Sequence, residues 1–337
     1  MKIHIRGLVS FIFTLLSISL FIYIKIGGLS LFPRLTPSEL REFGVFMIPL
    51  IYMWDYTIHA WPALLMAFLI AGFIAEVIPR SILSSYLSEA KMYSYILAAA
   101  LAPLIAVCSC VMVPIFAGIL YAGAGLGPAI TFLLMAPASN ILAILLTSEL
   151  ISWRIALARF IASFFGAIVI GMAISKLFAK FKIERLKTSR RQIDIEIPPF
   201  LERCWNGLKF SGYIAKTLLP IFYLGIAIVS YIEAYTPSDI ISQFMTGVKG
   251  VLLGSVIGVP MYTPTLVEVV FVKALKDLGA APGAILAFLI GAPMTSIPSM
   301  LAISRIVGWR VVLTYACLAI LLAFIAGVMY QLYIGVF

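Results

Sequence analysis

"GAGLGPAITFLLMAPASN", residues 123–140, returns as "GAAPGAILAFLIGAPMTS", residues 279–296, with no gap and seven identities in eighteen positions. The identities are Gly123/Gly279, Ala124/Ala280, Gly127/Gly283, Phe132/Phe288, Leu133/Leu289, Ala136/Ala292 and Pro137/Pro293. Apolar composition alone yields several such matches, so the flanks must decide, and they agree. An apolar span at 58–79 answers to one at 212–233. "SWRIALARF" opens a helix near Trp153 as "GWRVVLTYA" does near Trp309, at the same offset of 156. The repeating unit reads as a long helix, a short broken pair, a helix interrupted at Ala-Pro, and a closing helix.

The composition says where such units live. Of 337 residues, 63% are hydrophobic and only 11% charged, against about a quarter charged in soluble domains. Uncharged runs such as Leu8 to Ile24, Thr217 to Ile232 and Val311 to Phe337 approach or exceed the roughly 20 residues a helix needs to cross hydrocarbon. The first lacks a small-x-small cleavage site and reads as a retained span rather than a signal peptide. From Met92 to Ser148 there are 57 residues without a formal charge, yet Pro103, Pro114, GAGLGP and APASN punctuate them. Breaks of this kind survive in lipid only where protein or a watery cavity satisfies the freed backbone groups. The expected fold is an all-α polytopic integral membrane protein, multi-pass in the cell membrane. It comprises an N-terminal helix and connecting segment (1–57), a first membrane repeat (58–178), a basic loop (179–210) and a second repeat (211–337).

Charge then sets orientation. Eight Lys or Arg residues fall between Ala179 and Phe210 and place that loop in the cytoplasm. The net charge of +10 is therefore topological and does not call for a nucleic-acid partner. With both units meeting this loop, an odd number of crossings per unit makes them antiparallel. Five crossings, or three plus a re-entrant hairpin, both satisfy the count. Inverted repeats with discontinuous helices mark secondary transporters, whose sites lie near the midplane between the units. Neither GxxxxGK[ST], HExxH nor GxSxG is present, so the chain reads as a transporter and not an enzyme, with no cofactor. Two histidines exclude an imidazole-rich zinc site, and no metal site is expected.

Several residues carry chemistry. Cys108 and Cys110 flank a serine at a helix break; there both thiols can turn to one centre, which residues two apart in a continuous helix do not. Thiolates are soft ligands for Cu(I), thiophilic metals or trivalent arsenic; as small apolar residues they also pack well in a core. Ser139 and Asn140, after Pro137, and their counterparts Thr295 and Ser296, after Pro293, put polar groups at half-helix ends. They are candidates both for substrate binding and for capping. Glu268, in "MYTPTLVEVVFVKALKD", is a carboxylate within the membrane and a candidate for proton coupling or substrate contact, with Lys273 the nearby cation. Three functions stay open: export of a small thiophilic solute, transport of a small organic or anionic solute, and a membrane thiol-redox or assembly role for the CxC pair.

"CSC" at 108–110, "VPIFAGILYAGAGLGPAITFLLMAPASN" at 113–140, "GVPMY" at 258–262 and "GAILAFLIGAPMTSIPSM" at 283–300 resemble the ArsP-type predicted permeases. Characterised members of that family export trivalent organoarsenicals such as methylarsenite. The resemblance spans about residues 45–335. It implies a permease whose partners are the lipid bilayer and a small-molecule or metalloid substrate, with Cys108 and Cys110 as soft ligands. The family's CSC is usually followed by glycine; here Val111 makes the kink less free.

Overall fold

A computed structural model describes residues 44–77, 86–104, 109–178, 200–235, 245, 247–259, 267–277 and 279–335. The N-terminal span at 8–24, most of the basic loop and Cys108 lie outside the described residues, as do the thiol of Cys110 and the GVPMY tail. Among the described residues the chain is helical, without strands. The first unit contains α1 (Ile48–Val77), α2 (Met92–Leu101, continued by a 3-10 turn Ala102–Leu104), α3 (Ser109–Tyr121), α4 (Leu126–Ala138), α5 (Ile141–Leu150) and α6 (Trp153–Leu177). The second contains α7 (Phe200–Tyr235), α8 (Gly247–Ile257), α9 (Val267–Asp277), α10 (Pro282–Met294), α11 (Ile297–Val307) and α12 (Trp309–Ile334).

Shifted by 156, each helix of the first unit falls on one of the second, and α4 coincides with α10 at both ends. The turns agree too: Gly123 and Gly279 hold φ of 99° and 94°, a left-handed region that suits glycine. Helix neighbours recur in the same way. The α4–α6 contact is matched by α10–α12, α2–α4 by α8–α10, and the cross-unit pair α5–α9 by α11–α3.

The two units run in opposite directions. Along α1 and α7, Thr57 meets Tyr223 (Oγ1 to OH, 2.8 Å), Tyr56 stacks near Phe222 with centroids 5.8 Å apart, and further on Gly72 meets Gly207. Later residues of one helix thus face earlier residues of the other. Because α1 and α7 are equivalent in the repeat, that antiparallel contact is the inversion expected from the charge pattern. Gly166 of α6 packs against Leu322, its own repeat counterpart on α12, so a pseudo-twofold axis passes close to this contact.

The long helices start earlier than the hydropathy suggested. α1 begins at Ile48 rather than 58, and α7 at Phe200, inside the stretch expected to be loop. For α7 the reason is amphipathicity: "FLERCWNGLKF" buries Cys204 while Lys209 lies over the Trp205 ring at 5.4 Å, so a charged segment continues the helix beyond its apolar part. Among the described residues, Leu126–Leu150, Trp153–Leu177, Glu202–Ile228 and Trp309–Ile334 are long and apolar enough to cross a membrane. Pro282–Met294 with Ile297–Val307 makes a fifth candidate, bent by 42°. The short helices α2, α3, α8 and α9, of 10 to 13 residues, reach at most about 20 Å at 1.5 Å per residue. None crosses alone, which fits a short broken pair in each unit.

Lipid offers no hydrophobic drive between helices, so close backbone approach has to hold the bundle. Gly127 of α4 crosses Gly171 of α6, and Gly283 of α10 crosses Gly327 of α12. A Cβ placed on Gly127 would come 2.8 Å from the Gly171 carbonyl, and one on Gly327 would come 2.6 Å from the Gly283 carbonyl. These crossings seat α4 and α10 at the centre, where all 13 residues of α4 and all of α10 after Pro282 are buried.

Candidate functional site

Both central helices end at the same kind of fracture. Pro137 and Pro293 remain helical, each the penultimate residue of its helix, and the chain leaves the helix just after them rather than at the Ala-Pro itself. Ser139 and Thr295 adopt nearly the same backbone (φ −145°, ψ 37° and φ −134°, ψ 44°), and Asn140 and Ser296 then turn extended before α5 and α11 begin. Proline has no N–H for the carbonyl one turn back, so the last turn is already loosened where the chain departs.

The polar side chains at the two fractures divide their tasks. Asn140 Oδ1 accepts from the Ala143 amide at 2.8 Å and caps α5. Thr295 Oγ1 donates to the Gly291 carbonyl at 2.7 Å, and Ser296 Oγ donates to Ser299 Oγ at 2.7 Å. Ser139 Oγ, with no exposure, has no hydrogen-bond partner. Asn140→Ala is therefore expected to cost about 0.5–2 kcal/mol of stability, read as a lowered Tm of the purified protein.

Next to the first fracture sits a side chain that the sequence reading passed over. Arg159 of α6 is fully buried. Its Nε donates to the Ala138 carbonyl at 2.7 Å, at the C-terminal end of α4, where a cation also complements the helix dipole. Nη1 donates to Thr147 Oγ1 on α5 at 3.1 Å, and Nη2 to Glu268 Oε1 at 2.5 Å. Glu268, the first-turn residue of α9, is equally buried and comes from the other unit. It pairs with Arg159 instead of its sequence neighbour Lys273. Two charges out of water cost several kcal/mol each, and only a close pair with further hydrogen bonds offsets that. Glu268 Oε2 nevertheless has no partner, and neither does Ser163 Oγ, one helical turn beyond Arg159.

This polar cluster occurs once in a molecule built twice. At the 156-residue offset Arg159 corresponds to Tyr315, Glu268 to Met112, Thr147 to Ile303, Ala138 to Met294 and Ser163 to Ala319. Tyr315, Met112, Ile303, Met294 and Ala319 are all buried members of the apolar core. The fold closes this position with hydrocarbon in one half, so the ion pair in the other is not a requirement of the architecture.

The structure brings Ser139, Asn140 and Glu268 to the first fracture around Arg159, and places Thr295 and Ser296 at the second. All are buried within the protein. A signal for Arg159 was present in the sequence: an ionisable residue well inside an apolar span is by default a functional candidate. Among the described residues no cluster of three His, Cys, Asp or Glu can hold a metal ion.

Comparison with known proteins agrees with this architecture. The family profile ArsP_1, described as "Predicted permease", matches residues 50–332. The UPF0718 protein MJ0584 of Methanocaldococcus jannaschii is 31% identical over 327 residues, covering 79% of this chain and 90% of its own. The UPF0718 protein YraQ of Escherichia coli is 24% identical over 260 residues, covering 75% and 72%. No solved structure matches. With its profile running from within α1 to the end of α12, the chain belongs to the ArsP_1 predicted-permease family, and is a membrane permease.

Proposed function

We propose that this permease is a secondary transporter of the cell membrane that exports a small thiophilic solute, trivalent organoarsenicals being the class implied by the ArsP-type resemblance. The observation that carries the transport reading is the pair of matching fractures in two antiparallel, protein-enclosed helices, Ser139–Asn140 and Thr295–Ser296. Discontinuous helices at a repeat interface are where such transporters hold their solute. Rocking of one unit against the other would open this place to each side in turn. Cys108 and Cys110 supply the soft ligands. Export of methylarsenite from everted vesicles is expected to be abolished in Cys108→Ser/Cys110→Ser while the protein stays folded; unchanged export rejects the thiol role.

A second solute class, a small organic or anionic molecule held at the half-helix ends, rests on the buried polar residues Ser139 and Asn140 at the first fracture. On that reading Asn140→Ala reduces transport more than loss of both thiols. The thiol-redox reading has no comparable support, because the fractures and the ion pair would then be without a role.

A further inference from the structure

The ion pair joins the units in a way that singles out the coupling ion. Arg159 belongs to the first unit and Glu268 to the second, so their bond is a tie across the surface along which alternating access has to work. Its carboxylate keeps one oxygen, Oε2, buried and without a partner. Oε2 itself has essentially no accessible surface, which leaves no room on it for a hydrated metal ion, whereas a proton needs none. Ser139 Oγ, beside the carbonyl that Arg159 holds, and Ser163 Oγ, one turn along α6, are also buried without partners. Ordered waters inside proteins sit on buried polar groups that lack other partners, as these hydroxyls do.

Resting on the transport reading above, we propose that Glu268 is a proton-binding site and that Arg159 is its countercharge, so that the pair is a proton-released tie between the two units. A proton from the aqueous phase adds to Oε2 and leaves a neutral carboxylic acid; no other bond forms and nothing is oxidised or reduced. The Nη2–Oε1 hydrogen bond loses the charge that strengthens it. α9 then keeps its packing against α5 and the hydrogen bond from Lys276 Nζ to the Ile151 carbonyl, 2.8 Å, but not the charged tie. The residues at the twin positions, Met112 and Tyr315, include no carboxylate and do not respond, so one side of the pseudo-symmetric molecule loosens and the other stays shut.

Few other groups compete for this role. Of the helices packed on α9, α10 has no ionisable side chain, and α5 carries only Glu149, near its far end. α6 presents Arg159 to the carboxylate and carries Arg154 nearer its start and Lys176 at its end; α9 itself adds Lys273, Lys276 and Asp277.

The test titrates purified wild type, Glu268→Gln and the double variant Arg159→Tyr/Glu268→Met by infrared spectroscopy of the carboxyl stretch from about pH 9 to 4. The double variant copies the residues of the twin position, which this fold already accommodates. Above the absorption that the other Asp and Glu residues give near the acid end of the range, the wild type is expected to show one protonated-carboxyl band that both variants lack; no band lost in Glu268→Gln overturns the proposal. In parallel, everted vesicles carrying methylarsenite are driven by an imposed pH gradient. At least a tenfold loss of gradient-driven export is expected in both variants. Gradient-driven export that persists in the double variant also overturns it. The spectroscopic arm needs no solute, so a protein that binds the proton but moves no methylarsenite counts against the solute class alone.

Discussion

Arg159→Tyr is expected to lower stability by about 3–5 kcal/mol, and adding Glu268→Met is expected to restore most of that loss. The single change leaves the Glu268 carboxylate fully buried without its countercharge, and it strips the Ala138 carbonyl and Thr147 hydroxyl of their shared donor. Adding the second change removes the orphaned charge. Replacing a whole buried ion pair by hydrocarbon is often neutral or stabilising, whereas breaking one is costly. The measurement is a double-mutant cycle on Tm or on detergent-induced unfolding of the purified protein. Additive losses would mean that the two residues are not energetically paired.

The second large effect is expected at the helix crossings. Gly171→Val and Gly327→Val should each destabilise by about 3 kcal/mol or more, the upper end of overpacking costs, because the new atoms meet a backbone carbonyl of the facing helix as well as a neighbouring side chain, Thr131 or Val251. At Gly171 a Cβ alone would stand 2.7 Å from the Gly127 carbonyl. Gly212→Val is the control: nothing lies within 4 Å of a Cβ there, and the position is exposed, so a change within about 0.5 kcal/mol is expected. Yield and Tm in a mild detergent read all three. Equal behaviour at Gly171 and Gly212 would contradict the close crossing.

Much of this architecture was legible because its signals are local or repeated. Pro137 and Pro293 mark their fractures within a few residues, and the glycine turns and crossings recur at one offset, so a single chain acts as its own comparison. The helix start at Phe200 was less legible, because an apolar window ends where a charged, amphipathic continuation still pays its way as helix. The ion pair was legible only in part. Glu268 drew notice as a carboxylate in apolar surroundings, but its partner lies 109 residues away, and local spacing pointed to Lys273. Arg159 stood in plain view within "SWRIALARF"; reading that stretch as a match to "GWRVVLTYA" hid the one position where the difference, Arg against Tyr, carried the information.

That difference also bears on how the two halves depend on each other. Two copies of the first half, assembled head to tail about the same axis, would set each guanidinium against a methionine. Two copies of the second would strand each carboxylate beside a tyrosine. Self-association is thus penalised twice over in either case, while the mixed pairing neutralises itself. The duplicated halves have become complementary specialists, one contributing a cation and the other an anion, and a chain that keeps them covalently joined guarantees that each meets its opposite.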